Sequence, residues 1–423
     1  MIYLSYTTLL IKKFQFYIRY IKRLDSYENS PYNLGLNGMK NIHICMNDFK
    51  NASRVIKQTN SLISYNVFDE IIVLALTSDK SYKKNDIVNG VMIHRIRLLA
   101  GLLPSDFNSY SLKLFFHTLK YMEFFVKSSY FIYKAKPDVV NAHSIEVLPI
   151  ALIAKKFTRC KVVYDTHELE TEKNGVFGKV KVLLKIFEKQ AIKKVDLVFA
   201  VSDSISDWYQ NTYKIERPPV IMNVPKAHSI DKKNKFREQL DIRKDQIILL
   251  YQGNLIKGRG INLILDAFKS RTNDKVVVVF MGSGLYEQEI KLASKNYSNI
   301  FLLPAVAPEV VLEYTASADV GISLIENICL SYYYCMPNKL FEYSMAGLPV
   351  LVSNMKDMSK LVKNNQMGLV ISEYSVKSIN DTIDILIKDN LTEMKKNSYK
   401  TAMSLSWELQ EKKMLSAYNK LLD

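Results

Sequence analysis

The chain has 423 residues, of which 48% are hydrophobic and 24% are charged. This length allows two or three domains, each with its own core, and the composition excludes a disordered chain. Lysine and arginine exceed the acids to give a formal charge of +16, which favours partners that carry phosphates: anionic lipids, nucleic acid or nucleotide-linked substrates.

Two absences in the sequence bear on the compartment. No run of 18 uncharged apolar residues occurs, so the sequence predicts no membrane-spanning helix. The 4 cysteines are scattered without C-x-x-C spacing, which predicts a reduced, cytoplasmic protein without a cysteine metal site.

Residues 1–38 form a basic extension ahead of the first predicted strand. Residues 1–24 hold 5 lysines and arginines and no acid. A signal peptide has its positive charge before the apolar run and a small-residue cleavage site after it, and neither is found here. Two interpretations stay open. The residues form a loosely held extension, which includes the case that the chain is mis-assigned upstream of a true start at Met39, or they form a basic amphipathic helix lying on anionic lipid.

From residue 39 onwards, short apolar runs alternate with helical stretches. In the first half, a helix is predicted over 54–65, and strands are predicted over 41–46, 70–76, 138–141, 161–165 and 196–201. Two prolines and a polar stretch at 226–234 follow, and strands are then predicted over 247–251, 275–280, 300–303, 320–324 and 349–352. Continuous apolar runs between helices are typical of buried parallel strands, so the pattern predicts two α/β halves divided near residue 220.

The segment 110–136 contains an aromatic and apolar stripe among lysines. Its members are Leu112, Phe115, Phe116, Leu119, Met122, Phe125 and Phe131. Such a stripe is usually the face of a helix that packs on the core. The alternative is a surface that meets a membrane or an acceptor, because aromatic and lysine side chains together suit lipid headgroups.

A loop with glycines at 253, 258 and 260 joins a predicted strand to an amphipathic helix. Backbone N–H groups in such a loop, and at the start of the following helix, bind phosphate well. Lys257 and Arg259 add positive charge at the same place. The alternative is a set of ordinary turns, since glycines also serve those.

A second anion site is predicted within residues 332–350. Pro337 suits the first turn of a helix, which would place Asn338 and Lys339 in that turn. Glu342 lies one turn further on, where its carboxylate could accept hydrogen bonds from ribose hydroxyls. A helix glutamate is ordinarily a solvated surface residue, but the apolar neighbours of Glu342 favour burial.

These segments, with the M-G-S-G turn that contains Gly282 and Gly284, resemble the donor-binding half of retaining glycosyltransferases of family 4. The residues Gly253, Asn254 and Leu255 match the start of the family's glycine loop, and Arg259 with Gly260 matches its usual Lys-Gly pair. The family has an arginine where this chain has Asn254, so a diphosphate contact is either missing or supplied elsewhere, for which Lys257 is the candidate.

The later family motif is matched in its second part. Glu342 matches the second of two glutamates, and residues 346–350 match the small-residue turn that follows it. The first glutamate would fall at Tyr334. In the family that glutamate contacts the transferred sugar, so its absence puts the identity of the sugar in question. The variant P-N-K-L-F-E-Y marks a subgroup in which Lys339 is prominent, and the resemblance implies donor contacts at Asn338 and Leu340.

The first half resembles the acceptor-side domain of the same family. His143 occupies the place of a histidine beside the transferred sugar, and Ser202 matches a serine after the last strand of the domain. Asp165, His167 and Glu168 match an Asp-x-His-Glu segment. Three ligands within four residues at one strand end do not converge easily, so structural and acceptor-side roles are predicted for them in preference to a metal site.

The resemblance covers residues 39–423 and implies the GT-B fold: an α/β protein with two Rossmann-like domains facing across a cleft. Residues 39–218 would form the acceptor-side domain, 219–402 the domain that binds the nucleotide sugar, and 403–423 a C-terminal helix that crosses back to the first domain. The implied function is retaining sugar transfer to a saccharide or lipid-linked saccharide in bacterial capsule, O-antigen or exopolysaccharide synthesis. The enzyme would then lie peripherally on the inner, anionic face of the cell membrane.

The implied mechanism depends on charge at the leaving diphosphate. Arg259, Lys339 and helix N-terminal amides would neutralise that charge as it develops. A departing phosphate oxygen would take the acceptor proton, and His143 would orient the sugar or stabilise charge. No Asp-x-Asp motif follows a predicted strand, so neither an obligatory divalent ion nor a cofactor is expected.

Three other functions are compatible with parts of the sequence. A nucleotide-sugar epimerase of the same architecture would need no acceptor. A catalytically inactive nucleotide-sugar-binding scaffold is motivated by Asn254 and Tyr334. A nucleic-acid-binding protein is suggested by the net charge, but no recognised binding motif accompanies it, so no nucleic-acid partner is predicted.

Overall fold

The structure of the protein is a computed structural model that describes residues 38–50, 52–77, 79, 81–99, 110–229, 231–272, 275–388 and 391–423. The basic extension lies outside the described residues except for Gly38. Both interpretations of that extension therefore stay open.

The first half of the chain folds into a seven-stranded sheet with helices between its strands. The strands are β1 (Lys40–Cys45), β2 (Glu70–Thr77), β3 (Asn85–Val88), β4 (Val91–Arg97), β5 (Val139–Ala142), β6 (Lys161–Asp165) and β7 (Leu197–Phe199). The helices are α1 (Ser53–Ser64), α2 (Tyr110–Ala135), α3 (Leu148–Thr158), α4 (Gly178–Ala191) and α5 (Asp203–Tyr213), with 3-10 turns at Glu170–Glu172 and Ile192–Lys194. The strand order is β3-β4-β2-β1-β5-β6-β7, and every pair is parallel except β3 with β4.

The second half repeats this architecture with a six-stranded parallel sheet. Its strands are β8 (Ile247–Gln252), β9 (Val276–Met281), β10 (Ile300–Leu303), β11 (Val320–Ser323), β12 (Val350–Val352) and β13 (Gly368–Val370), in the order β10-β9-β8-β11-β12-β13. The helices are α6 (Lys235–Leu240), α7 (Ile261–Ser270), α8 (Glu287–Asn296), α9 (Val311–Thr315), α10 (Leu330–Tyr333), α11 (Asn338–Met345), α12 (Lys356–Asn364), α13 (Val376–Lys388), α14 (Leu391–Leu405) and α15 (Trp407–Leu422). A 3-10 turn occupies Pro308–Val310.

The predicted strands are confirmed to within two residues at each end. Their apolar runs are buried on both faces, as parallel strands between two helical layers must be: all six residues of β9 are buried. The hairpin of β3 and β4 was not predicted, because charged residues interrupt its apolar pattern. A signal for it was present in Asn89-Gly90, whose φ values of 52° and 80° fit the two-residue turn that this dipeptide favours.

The last helix, α15, returns to the first half, as the resemblance implied. The side chain of Trp407 is fully buried, and its Nε1 donates a hydrogen bond to Ser61 Oγ on α1 at 2.9 Å. Further along, Tyr418 packs edge-on against Phe68, with ring centroids 5.9 Å apart. The helix begins at Trp407, since Ser406 interrupts the helical run from Leu391.

Helix α2 divides the predicted aromatic stripe into two parts. In its C-terminal half, the stripe residues Phe125 and Phe131 are half-buried against the core, next to the fully buried Phe124 and Ile132. Its N-terminal half exposes Leu114 and Phe115, at 56% and 60% of their surface. Core packing therefore accounts for the second part of the stripe only. None of the helices in the described ranges is long and apolar enough to cross a membrane.

Candidate active site

The carboxyl ends of strands from both sheets border one cleft, which is where open α/β sheets bind ligands. Two adjoining cavities, of about 470 Å³ and about 490 Å³, occupy it. They share the lining residues Asn223, Gln252, Gly253, Asn254, Asn338 and Glu342. The first half adds residues to both cavities, so the cleft is built by the two halves together and has room for a nucleotide-sized ligand.

Two glycines shape the floor of the cleft. Gly253 follows β8 with φ of 108°, a left-handed conformation that a larger side chain would strain. Gly282 follows β9, and a side chain at Gly282 would overlap the carbonyl oxygen of Gly253. The two strand ends therefore approach closely, and the backbone is left open to a ligand.

Two cations of the second half line the cleft, each over an aromatic ring. The guanidinium of Arg259 lies 4.7 Å from the ring centroid of Tyr332, and Lys339 Nζ lies 3.5 Å from that of Tyr251. Burial, and then repulsion from Arg259, lower the pKa of Lys339 well below its usual value. An anion between these cations would restore the charged form of Lys339, so the arrangement suits a phosphate group.

Further cations reach the cleft from the first half, and the sequence analysis missed them. Lys50 and Lys57 line the first cavity, and Arg54 lines the second. Lys57 Nζ donates to the carbonyl oxygen of Val224 at 2.6 Å. Burial and the Arg54 guanidinium lower the pKa of Lys57 to about 7. A signal was available, because these residues stand three or four apart around the start of the first helix after a strand.

Glu342 lines both cavities and is half-buried, so the solvated-surface alternative is wrong. Its Oε2 accepts a hydrogen bond from Gln252 Nε2 at 2.5 Å, and Gln252 Oε1 in turn accepts one from Thr315 Oγ1 at 2.8 Å. Burial raises the pKa of Glu342, although Gln252 and the nearby lysines oppose the rise. The hydrogen bond from Gln252, which Thr315 orients in turn, holds the Glu342 carboxylate in place. Its contact with ribose stays a prediction.

Asn223 is a further cleft residue that the sequence analysis missed. It lies in the segment that joins the two halves and lines both cavities. Among the described residues, its buried Oδ1 atom has no hydrogen-bond partner. A buried acceptor without a donor is costly, so this position is suited to receive a hydroxyl or amide proton from a ligand.

His143 lies behind the cleft wall in a chain of hydrogen bonds. Its Nδ1 is 3.1 Å from Asp165 Oδ2, and its Nε2 is 2.8 Å from His43 Nδ1. The carboxylate can only accept, so the network assigns a proton to Nδ1 of His143 and a donated proton from His43 to Nε2. Asn141 Nδ2, 3.3 Å from His43 Nε2, completes the chain.

This network leaves His143 without a free ring nitrogen. Burial is the largest cause that lowers the pKa of both His43 and His143, which favours their neutral forms. His143 lines neither cavity, whereas His167 lines the second and places its Nε2 3.2 Å from His143 Nδ1. The role of His143 beside the sugar stays a prediction, and His167 is the histidine that reaches the cleft.

Asp165 is held by an ion pair with Arg54. Arg54 Nε and Nη2 lie 2.8 Å and 2.5 Å from the two carboxylate oxygens, and Gln58 Nε2 donates at 2.9 Å. Burial alone would raise the pKa of Asp165, but Arg54 and the histidine hydrogen bonds lower it well below its usual value. Asp165 is therefore a buried anchor between α1 and β6.

Asp165, His167 and Glu168 do not form one ligand set, but a different set of side chains converges here. Potential ligand atoms of His143, Asp165 and His167 lie within 4.8 Å of one another, because His143 comes from the neighbouring strand. Glu168 turns away and accepts a hydrogen bond from Ser331 Oγ at 3.1 Å. A cation here would have to compete with Arg54 for Asp165, so the donor set does not fit a metal. The expected independence from metal stays a prediction.

The predicted site residues divide into two groups. Those that line the cleft are His167, Glu168, Gly253, Asn254, Arg259, Gly282, Asn338, Lys339 and Glu342. Those that line neither cavity are His143, Asp165, Ser202, Lys257, Gly260, Gly284 and Leu340. The positions of three of them give the reason: Leu340 is fully buried in the core, Lys257 is exposed, and Gly260 is the buried N-cap of α7 with φ of 76°.

Tyr334 stands where the related family has its first glutamate. Its ring packs against the core of the first half, and its carbonyl oxygen accepts a hydrogen bond from Ser202 Oγ at 3.0 Å. Ser202 also accepts from Ile205 N as the cap of α5. This position therefore joins the two halves of the chain and does not line either cavity.

The fold and the cleft define a two-domain enzyme scaffold of the GT-B type, with two Rossmann-like sheets. Residues 70–223 match the family Glycosyltransferase Family 4, and residues 232–403 match the family Glycosyl transferases group 1. The chain is accordingly a glycosyltransferase, with a group 1 domain as its second half.

Similarity to individual proteins is distant but extends over most of the fold. The capsular polysaccharide biosynthesis glycosyltransferase CapM of Staphylococcus aureus is 23% identical over 269 residues, which cover 61% of this chain and 69% of CapM. Chitobiosyldiphosphodolichol beta-mannosyltransferase of Candida albicans is 23% identical over 269 residues, which cover 56% of this chain and 57% of that protein. Sucrose-phosphate synthase of Thermosynechococcus elongatus superposes with a TM-score of 0.74 at 16% identity, over 91% of this chain and 99% of that structure. Anabaena HepE in complex with UDP and glucose superposes with a TM-score of 0.68 at 16% identity, over 90% of this chain and 100% of that structure.

Proposed function

We propose that the protein transfers a sugar, with retention of its anomeric configuration, from a nucleotide-sugar donor to a saccharide or lipid-linked saccharide. Its place would be bacterial capsule, O-antigen or exopolysaccharide synthesis at the inner face of the cell membrane. The observation that carries the proposal is the cleft, where Arg259 and Lys339 lie beside an open glycine turn. The capsule assignment is supported by the similarity to CapM alone.

The proposed chemistry needs no group outside the chain and its substrates. The bond between the sugar anomeric carbon and the diphosphate breaks, and a bond from that carbon to the acceptor oxygen forms. The acceptor proton passes to the departing phosphate oxygen. Arg259 and Lys339 stabilise the charge on the diphosphate, a contribution that is typically worth roughly 3–4 kcal/mol for each fixed donor.

The acceptor side of the proposal rests on His167 and Glu168. Both line the second cavity together with Arg259 and Lys339. His167 is backed by Asp165 Oδ2 at 3.4 Å, which favours a fixed ring orientation. His167 would orient the acceptor hydroxyl, and His143 would hold His167 in place from behind.

The experiment that tests the proposal is a donor panel. Purified full-length protein is incubated with UDP-, GDP- and other nucleotide sugars, with and without extracted lipid acceptors, and nucleoside diphosphate release is followed. Release that requires one donor and the lipid supports the transferase. An epimerised free nucleotide sugar would assign the epimerase alternative instead. Nucleotide binding without any product over the whole panel would favour the inactive scaffold, which Asn254 and Tyr334 motivate.

The anomeric outcome needs its own measurement. The name of the similar Candida protein gives a beta linkage but no donor configuration. Similarity to that protein therefore does not tell whether this chain retains or inverts the configuration. Proton NMR of the product, with a donor of known configuration, distinguishes the outcomes. A product with the donor's configuration supports retention, and the opposite configuration contradicts it.

A further inference from the structure

Helix α4 carries apolar side chains on two opposite faces. Its inner face packs on the first half, where Ala191 is buried and Leu184 and Phe187 are half-buried. Val182, Leu183 and Ile186 are instead 57%, 66% and 52% exposed. With Lys179, these residues recur at the spacing of one helix face, so the face that points to solvent is apolar.

Positive charge surrounds this outward face, and no acid interrupts it. Lys179 and Lys189 are exposed near its two ends. Within residues 178–191, all of which the structure describes, the one acid is Glu188. That carboxylate is buried and accepts hydrogen bonds from the hydroxyl groups of Tyr164, Tyr209 and Tyr213.

The N-terminal end of α4 lies on the cleft side of the sheet. Helix α4 follows β6, so its N-terminal end lies on the side of the sheet where the strands meet the cleft. The segment between them carries His167 and Glu168 into the second cavity. The same segment is tied to α4, because the Glu172 carboxylate forms ion pairs with Lys181, at 2.5 Å, and with Lys185.

We propose that the outward face of α4, formed by Lys179, Val182, Leu183, Ile186 and Lys189, docks on an anionic lipid surface. The apolar side chains would enter the headgroup boundary, and the lysines would contact lipid phosphates. A second copy of the chain fits less well, because two such faces would bring lysines against lysines. This docking surface rests on the proposed function, because its purpose would be to bring the cleft to a lipid-linked acceptor.

Vesicle sedimentation tests the surface without donor or turnover, so its failure is distinct from failure of the transferase proposal. Full-length protein is mixed with vesicles of phosphatidylcholine alone or with phosphatidylglycerol added. The variant Leu183→Ser/Ile186→Ser should bind the anionic vesicles at least tenfold more weakly than wild type. The matched control is Leu285→Ser/Leu292→Ser, at leucines of the second half that are 83% and 62% exposed, and it should bind like wild type.

A positional measurement separates α4 from other basic segments of the chain. Tryptophan is introduced as Leu183→Trp and, for comparison, as Leu292→Trp, and its fluorescence is followed with brominated anionic lipid. Quenching of the first variant alone supports the proposal. Equal quenching of both variants, or of neither, overturns it. Equal binding of the wild type to neutral and to anionic vesicles would also overturn it. So would a stable dimer that dissociates in the variant Leu183→Ser/Ile186→Ser.

Discussion

Arg259 and Lys339 show how a cleft can hold two basic groups ready for an anion. Each lies over an aromatic ring, Tyr332 and Tyr251, and neither forms an ion pair among the described residues. A ring face attracts a cation without neutralising it. The charge of Arg259 is thus available to a ligand, and Lys339, whose pKa is lowered by burial, gains its charge when an anion binds.

Replacing Arg259 by alanine should remove most of the transfer activity and leave the fold intact. Loss of one donor to the leaving diphosphate is expected to reduce the rate by roughly 10²–10³-fold. Initial rates of nucleoside diphosphate release measure the effect, and circular dichroism checks the fold. The control is Arg217→Ala, at an exposed arginine that pairs with Asp203 and Asp207. Most of the activity remaining in Arg259→Ala would remove that residue from the mechanism.

Nucleoside diphosphate affinity should fall as pH rises above 7. The pKa of Lys57 is lowered to about 7 by burial and by Arg54, and a bound diphosphate would raise it. The charged form binds better, so affinity is greatest below the pKa of the free protein and declines as pH passes through it. Isothermal titration at pH 6 and pH 8, in buffers of different ionisation enthalpy, measures affinity and proton uptake.

The control for this pH effect keeps a positive charge at position 57 but replaces the Lys57 amine by a group that does not lose its proton between pH 6 and pH 8. In Lys57→Arg the guanidinium stays charged, so proton uptake at pH 8 should fall by about one, and the uptake at Lys339 should remain. Identical proton uptake in wild type and Lys57→Arg would show that Lys57 does not sense the bound diphosphate.

Among the structural elements, those with strong local signals could be predicted from the sequence. Continuous apolar runs predicted β1 and β9, and the glycine turn after β8, predicted as an anion site, lines both cavities of the cleft. The strand β13 was missed because it lies at the edge of the sheet, where its three residues are only half-buried, and because it begins with a glycine, so no continuous apolar run marks it. Asn223 was missed for a different reason: its place in the cleft depends on contacts between the two halves, which no local pattern contains. The spacing of Lys50, Arg54 and Lys57 indicates a basic helix face, but not that the second half meets it.

The helix α15 should be sensitive to one buried hydroxyl group. Tyr418 donates a hydrogen bond to Asn141 Oδ1 at 2.5 Å, within the network that ends at His143. Tyr418→Phe would leave that buried acceptor without its donor, at an expected cost of about 1–3 kcal/mol in the free energy of unfolding. Urea unfolding followed by circular dichroism measures the change.

A matched control is the hydroxyl of Tyr399, which donates to the exposed carbonyl oxygen of His228 at 3.0 Å. Tyr399→Phe should change the free energy of unfolding by less than about 0.5 kcal/mol, as exposed substitutions usually do. Equal effects of the two variants would mean that the buried network adds nothing to the stability of α15.

For the whole molecule, nucleotide binding should stabilise both halves at once. The cleft takes residues from each half, so a nucleoside diphosphate bound to the folded chain stabilises both halves. At a concentration one hundred times Kd, the gain is about 2.7 kcal/mol. Differential scanning calorimetry should show every transition of the chain shifted upwards, also in the presence of EDTA. A shift confined to one transition, or one that EDTA removes, would contradict this account.

The return of α15 to the first half also matters while the chain is being made. The ribosome must synthesise the entire second sheet before it reaches Tyr418, whose ring covers Phe68 and Phe199 with centroids 5.9 Å and 5.8 Å away. Until then the first half emerges with an apolar groove open to solvent, the kind of surface that chaperones bind. A chain terminated early would therefore expose that groove to proteolytic quality control even though its second half is complete.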